Sequence, residues 1–425
     1  MNKTAFLTTL PDFVEIQRAS FCWFLTKGLY EEFEKFSSIT DLYRNTELNF
    51  FGQEYKIRKP KYDIMESKYR DSTYAVRIYV PMSITLLENL DFQEIKETFK
   101  PYVFIGELPL MTDRGTFIIN GCERVVINQI IRSPGIYYKE DFLKNGQSIY
   151  SAVLIPNRGS WLKFEIDKKK KLYVSVDKSE KLAILEFFEI FGLSTEEILG
   201  NLTHPEFFSS EPLENKKLKK TKISTLEKEI QNSIRSLNKA LFDKADKDKA
   251  DKAKLNKDKK IELQEFFNAR IFNPKYYDIG NVGRYKLNNR FNLNIPKTIN
   301  DLTLQDIIAI VDGLINLEYK EGNFDDIDHL QNRRVRSVGE LLQTQFRSGL
   351  TRLERILTER LTICDPSVIK VTTLVNPKPI ISMMREFFGS SQLSQFLDQT
   401  NPLAELTHRR RISGLGPGGF SRDHV

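Results

Sequence analysis

Three carboxylates fall within four residues in Asn323-Phe324-Asp325-Asp326-Ile327-Asp328-His329. Such a set can hold Mg²⁺, the ion that nucleotidyl transfer requires. The spacing argues against a metal site. An extended backbone points Asp326 and Asp328 to one side and Asp325 to the other. Arg333, Arg334 and Arg336 follow directly as partners for the acids, so a structural network of ion pairs is the expectation. Gly414-Leu415-Gly416-Pro417-Gly418-Gly419 has the glycine content of a phosphate loop but lacks the Lys-Ser/Thr of a P-loop. Its glycines predict a flexible, exposed loop that lets backbone approach a ligand closely. From Gly389 to Pro402 the chain is dense in uncharged donors and acceptors, and His408, Arg409, Arg410, Arg411, Ile412 and Ser413 follow. Amides, hydroxyls and arginines in series suit contacts to phosphate and sugar oxygens. Composition alone leaves a polar surface loop equally open. The sequence shows no nucleophile–base pair, zinc set or acid–base dyad, so no bond chemistry is expected of this chain by itself.

Several elements must position these residues. Pro11 opens an expected helix with Phe13, Ile16 and Phe24 among its apolar positions, and Gly28 is expected to interrupt it. Tyr74, Val76, Ile78 and Val80 alternate, which is the period of a half-buried strand. Two β-rich runs flank Asn120-Gly121, a strong hairpin signal, and Ser133-Pro134-Gly135 marks a turn. A second hairpin is expected from Trp161–Phe164 to Leu172–Val174, turning through Asp167 and four lysines. That turn is read as solvated, with a polyanion partner as the alternative. Ser337-Val338-Gly339-Glu340 has the form of a capping box. Behind it Leu342, Phe346, Leu350, Leu353 and Leu357 make a helical stripe ending near Thr362, before Asp365-Pro366. The stripe is read as core, and Arg347, Arg352, Arg355 and Arg360 lie off it.

Composition bounds the rest. At 425 residues the chain can form two or three domains, and thirty phenylalanines supply core volume. The net charge of +7 favours polyanionic partners weakly. Cys22, Cys122 and Cys364 are far apart and the four histidines lack ligand spacing, so neither a metal site nor a disulfide framework is expected. No apolar run reaches the length of a membrane span, and the N-terminus resembles neither a signal nor a transit peptide. Residues 243–260 are almost wholly Lys, Asp and Ala. They offer no apolar face and are read as part of a charged surface insertion at about 210–262.

The long motifs are specific. FFGSSQLSQFLDQTNPLAELTHRRRISGLGPGGFSRD, GELPLMTDRGTFIINGCERVVINQIIRSPGIYY, IPNRGSWLKFEID and DDIDHLQNRRVRSVGELLQTQF closely resemble the β subunit of bacterial- and plastid-type DNA-directed RNA polymerases. The resemblance covers nearly all of the chain except the Lys/Asp-rich stretch. It implies a multidomain α+β fold: 1–137 as the first part of the protrusion, 138–335 as the lobe with its insertion, 336–389 as the returning protrusion and 390–425 as the start of the fork. It implies a nucleotidyltransferase subunit that is not catalytic alone. It also implies a wall along the RNA–DNA hybrid, which forms the rifampicin pocket in this family. Carried over by motif, those positions are Ile136, Gln395, Phe396, Asp398, His408, Arg411, Ser413 and Leu415, with Arg422 as a further nucleic-acid contact.

No cofactor is expected on this chain, because the family's Mg²⁺ is held by the β′ subunit. Implied partners are β′ and α subunits, a sigma factor, DNA template and RNA product, and no membrane. The family pattern continues beyond Asp423-His424-Val425, and a separate C-terminal β polypeptide is expected to supply the remainder. Leu393, Phe396, Leu397 and Leu406 are expected to be partly exposed for that partner. The plastid stroma is the expected location, with the bacterial cytoplasm as the alternative. The competing reading is a repurposed β fragment that binds nucleic acid or protein without joining a polymerase.

Overall fold

Two separate hydrophobic cores divide the chain in this computed structural model. It describes residues 12–36, 38–43, 46–86, 100–142, 146, 148–168, 170–177, 181–208, 261, 263–363 and 371–420. Pro11, Cys364, Arg422 and the charged stretch at 243–260 lie outside them. One unit joins Met1–Ile131 to Arg334–Val425, and the other is Arg132–Arg333. The sequence expectation placed these boundaries at 137/138 and 335/336. Helices and antiparallel sheets in both units make the architecture α+β.

The first unit is built on the long strand Ala75–Leu86. Val76, Ile78 and Val80 are buried on one face, as the alternation predicts. Thr46–Phe50 and Lys56–Arg58 pair with it, as does Tyr102–Pro109, all antiparallel. The helix Val338–Ile363 buries Leu342, Phe346, Leu350, Leu353 and Leu357. Each such side chain contributes roughly 1.5–3 kcal/mol relative to exposure. Beside it runs the helix Lys378–Ser390. A Cβ on Gly349 would stand 3.0 Å from the Ile380 Cα, so glycine allows these helices to cross closely.

Two local expectations fail here. Gly28 does not interrupt the first helix: Glu15–Trp23 continues through a π turn, Phe24–Gly28, into Leu29–Lys35. The Leu29 N–H reaches back to the Phe24 carbonyl, which absorbs the extra residue without breaking the helix. A Cβ on Gly28 would meet the Phe24 ring at 3.0 Å, so packing explains the glycine. The capping box at Ser337 does not form either. The Glu340 carboxylate accepts from Arg334 at 2.7 Å, and the Gly339 N–H donates to Ser20 Oγ at 2.9 Å. A tertiary neighbour replaces the local cap.

The second unit is an antiparallel meander in the order Gly135–Phe142, Ser148–Ile155, Leu162–Ile166, Leu172–Val176, Leu182–Ala183. The expected hairpin turns at Asp167–Lys171, with Lys170 at φ 56° and 3.3 Å from Glu318. Helices Gly280–Phe291 and Leu304–Glu318 supply Leu287, Ile307, Ile310, Val311 and Leu314 to its core. Arg284 and Asp306 are fully buried there and pair at 2.6 Å. Arg284 also donates to the Ile299 carbonyl at 2.8 Å and to that of Asp301, so the buried charge is matched.

The acidic cluster belongs to this unit and is structural. Asp325 is bound by Arg290 at 2.6 Å and by the Tyr138 N–H at 2.9 Å, and Asp328 lies 3.5 Å from Arg132. Of the three expected partners, Arg333 faces Asp328 at 3.8 Å, while Arg334 turns to Glu340.

Candidate nucleic-acid interface

The hairpin around Asn120-Gly121 is the scaffold of the candidate surface. Phe117–Ile119 and Cys122–Val126 pair antiparallel across a turn in which Asn120 and Gly121 both take positive φ, 49° and 77°. Two consecutive left-handed residues are what a tight primed hairpin turn requires. The second strand of the hairpin then receives a distant segment on its free edge: Ser394, Gln395 and Phe396 align with Val126, Val125 and Arg124. Farther along, Ile412-Ser413 runs parallel to Asn128-Gln129. The chain between Phe396 and Ile412 is thereby fastened at both ends.

Inside that span a helix, Pro402–Arg409, presents His408. Asn401 caps it by accepting from the Ala404 N–H at 2.7 Å, and Pro402 occupies the first turn, where no N–H is needed. His408 is buried, 7% exposed. Its Nδ1 accepts from the Asp398 N–H at 3.1 Å, and its Nε2 lies 3.1 Å from Gln395 Oε1. The first bond leaves Nδ1 without a proton, so Nε2–H donates to Gln395 and the ring is neutral. Burial and then the Arg411 guanidinium push the His408 pKa down, against the pull of Asp398. Asp398 accepts from the hydroxyl and from the backbone N–H of Thr400, the latter at 3.2 Å. Those bonds hold its carboxyl below the usual range.

The structure therefore brings Gln395, Asp398 and His408 into direct contact. Phe396 stays 61% exposed, with the Arg124 guanidinium 4.1 Å over its ring. Arg411 is exposed, and Ser413 Oγ accepts from the Leu415 N–H at 3.2 Å. Ile136 lies on a strand of the second unit, buried in that unit's core. Leu393 is buried, contrary to the expectation that it stands partly exposed: it packs beneath Gly416, whose Cβ would lie 3.1 Å from it.

The glycine-rich loop is tied down, not loose. The Phe420 N–H donates to the Gly414 carbonyl at 2.8 Å, and that of Gly419 to Gly416 at 3.0 Å. Gln129 Nε2 donates to the carbonyls of Leu415 and Pro417, at 3.2 and 3.1 Å. A Cβ on Gly419 would meet the Gly414 oxygen at 2.5 Å. A cleft of about 600 Å³ opens beside the loop, between Gln345, Glu386, Ser390 and Leu415. Sequence reasoning missed Arg124 and Gln129 as supports of this surface. Both sit in an ordinary strand pattern, and their partners come from the far end of the chain.

The surface sets the Arg411 guanidinium and the Ser413 hydroxyl beside a rigid corner, group types suited to sugar and phosphate oxygens. Among the described residues no cluster of carboxylates, histidines or cysteines could hold a metal ion, and no helix is long and apolar enough to cross a membrane. Residues 132–336 match the model of RNA polymerase Rpb2, domain 2, and residues 395–425 that of RNA polymerase Rpb2, domain 3. The DNA-directed RNA polymerase subunit beta of Trichormus variabilis is 54% identical over 416 residues, 98% of this chain. Those of Synechocystis and Guillardia theta are each 52% identical, over 98% and 100% of it. The chain spans about a third of the length of these relatives, 35% of the first. It belongs to the β-subunit family of DNA-directed RNA polymerases, whose N-terminal part it matches.

Proposed function

We propose that the chain works within a DNA-directed RNA polymerase, where it contributes the protrusion, the lobe and a wall along the RNA–DNA hybrid. The observation that carries this reading is the preorganised corner of Gln395, Asp398 and His408 beside exposed Phe396 and Arg411. The corner uses its hydrogen bonds internally and so stiffens the wall that carries Phe396 and Arg411, and a stiff wall loses little entropy when it meets a nucleic-acid backbone. The role is to hold template and product in register. Asp325 and Asp328, which could be mistaken for part of a metal site, are engaged by arginines, and the Mg²⁺ of the reaction is proposed to be held by the β′ subunit. Partners are β′ and α subunits, a sigma factor and the rest of the β sequence. The plastid stroma is the proposed location, supported by the Guillardia theta and Rhodomonas salina relatives, both 52% identical, with cyanobacterial proteins equally similar.

Gln395, Phe396, Asp398, His408, Arg411, Ser413 and Leu415 are proposed to form a rifampicin pocket, and Arg422 to contact nucleic acid. In the assembled enzyme, Asp398→Ala, His408→Ala and Ser413→Ala should each weaken rifampicin inhibition while transcription persists. A buried polar group left without its partner costs roughly 1–3 kcal/mol, which is about one to two decades in affinity. Unchanged inhibition in all three variants would refute the pocket.

A further inference from the structure

The first unit carries a second charged surface, remote in sequence from the corner at Gln395. The sheet around Ala75–Leu86 has its apolar face in the core. Its opposite face carries cross-strand rows: Lys56 opposite Tyr79, Tyr79 opposite Phe104, and Arg58 opposite Arg77. Tyr102 pairs with Pro81 on that same face. The rings here carry cations. Lys56 Nζ lies 3.8 Å from the Tyr102 centroid, and the Arg58 guanidinium lies 4.4 Å from Tyr79. Outside these strands, Lys100 lies 4.2 Å over Phe51, and Lys61 and Arg70 each lie 4.9 Å from Tyr62.

Five cation–ring approaches fall within residues 51–102. Lys56, Arg58 and Lys100 are exposed, so they do not close a core. Of the carboxylates beside these cations, Glu107 is occupied by Arg77 at 3.2 Å and Glu66 by Arg70 at 2.9 Å.

We propose that this face is a docking surface for duplex DNA, which it grips by the phosphates without reading sequence. Charge complementarity selects a polyanion. The rings select the mode. Each already has a cation against it, so it is not free to stack an unpaired base, as single-strand binders require. A cation resting on a ring is instead held in place beforehand, which lowers the entropy lost when it meets a phosphate.

The test uses the full chain and a labelled duplex of about three helical turns, with a single strand of equal length as the second arm. Dissociation constants are measured by fluorescence anisotropy across a salt series. Each lost phosphate contact lowers the slope of log K against log salt by about 0.9 and, at 0.1 M salt, weakens binding roughly eightfold. The double variant Lys56→Ala/Arg58→Ala should lose nearly two units of slope on duplex. Lys297→Ala, which removes an exposed cation 5.4 Å from Tyr285 in the other unit, should leave the slope unchanged. Circular dichroism confirms that the variants are folded. In an assembled polymerase on labelled template, a photo-crosslinker introduced as Tyr102→benzoylphenylalanine should transfer label from duplex DNA. A slope unchanged by the double variant, a larger loss on single strand than on duplex, or crosslinks to protein alone would each overturn the proposal.

Discussion

His408 uses both ring nitrogens, one to fix the Asp398 backbone and one to fix the Gln395 side chain. That arrangement needs the neutral ring, and its depressed pKa has a consequence for stability. In the unfolded chain the imidazole takes up a proton near pH 6.5. In the folded chain it does so only at lower pH. Between the two values the unfolded state binds more protons, so stability rises with pH across that window. On acidification it is lost progressively from about pH 6.5 downward. Hydrogen exchange at the Asp398 amide, corrected for intrinsic rates, should therefore speed up at pH 5 relative to pH 7.5. In His408→Gln that pH dependence should vanish. Persistence of the full dependence in the variant would assign it to another group.

At the scale of elements, the corner depends on a hairpin and a capped helix. Gly121→Ala forces an L side chain into a left-handed turn, with its Cβ 2.6 Å from Asp71 Oδ1. The cost is roughly 1–3 kcal/mol, or about 2–4 °C of melting temperature per kcal/mol for a domain of this size. Thermal unfolding of the variant measures it, and a change under one degree would contradict the turn geometry. Asn401→Ala removes the acceptor at the helix start and should cost about 1 kcal/mol. Because the helix carries His408, the same variant should also weaken ligand binding at the corner in the assembled enzyme. Binding curves that superimpose on wild type would show that the cap does not position the histidine.

Over the whole molecule, the two cores make two folding units with separate vulnerabilities. Arg284 and Asp306 are both completely buried in the second unit. Arg284→Ala leaves an uncompensated carboxylate there, at a cost of roughly 3–5 kcal/mol. Differential scanning calorimetry should show one transition moving down by many degrees while the other stays in place. Equal displacement of all the heat absorption would mean that the chain unfolds as one cooperative body.

The sequence by itself determined the features that depend on neighbours in the chain. The alternation of Val76, Ile78 and Val80, the stripe from Leu342 to Leu357 and the turn at Asn120-Gly121 all match the structure. Period and turn chemistry follow from local backbone geometry. The long motifs also identified the family, because so many specific residues in order leave few alternatives. Tertiary structure decided the rest. The capping box at Ser337 was a sound local pattern, yet Arg334 takes Glu340 and Ser20 takes the Gly339 N–H. Gly28 was a sound helix breaker, yet a π turn between packed phenylalanines carries the helix through it. The corner itself exists because Ser394–Phe396 pairs with Cys122–Val126 and Arg124 reaches the Phe388 carbonyl 264 residues away. No periodicity records a partner at that distance. Such pairings are selected by the packing of the whole unit, which is why Arg124 and Gln129 were invisible until the chain was folded.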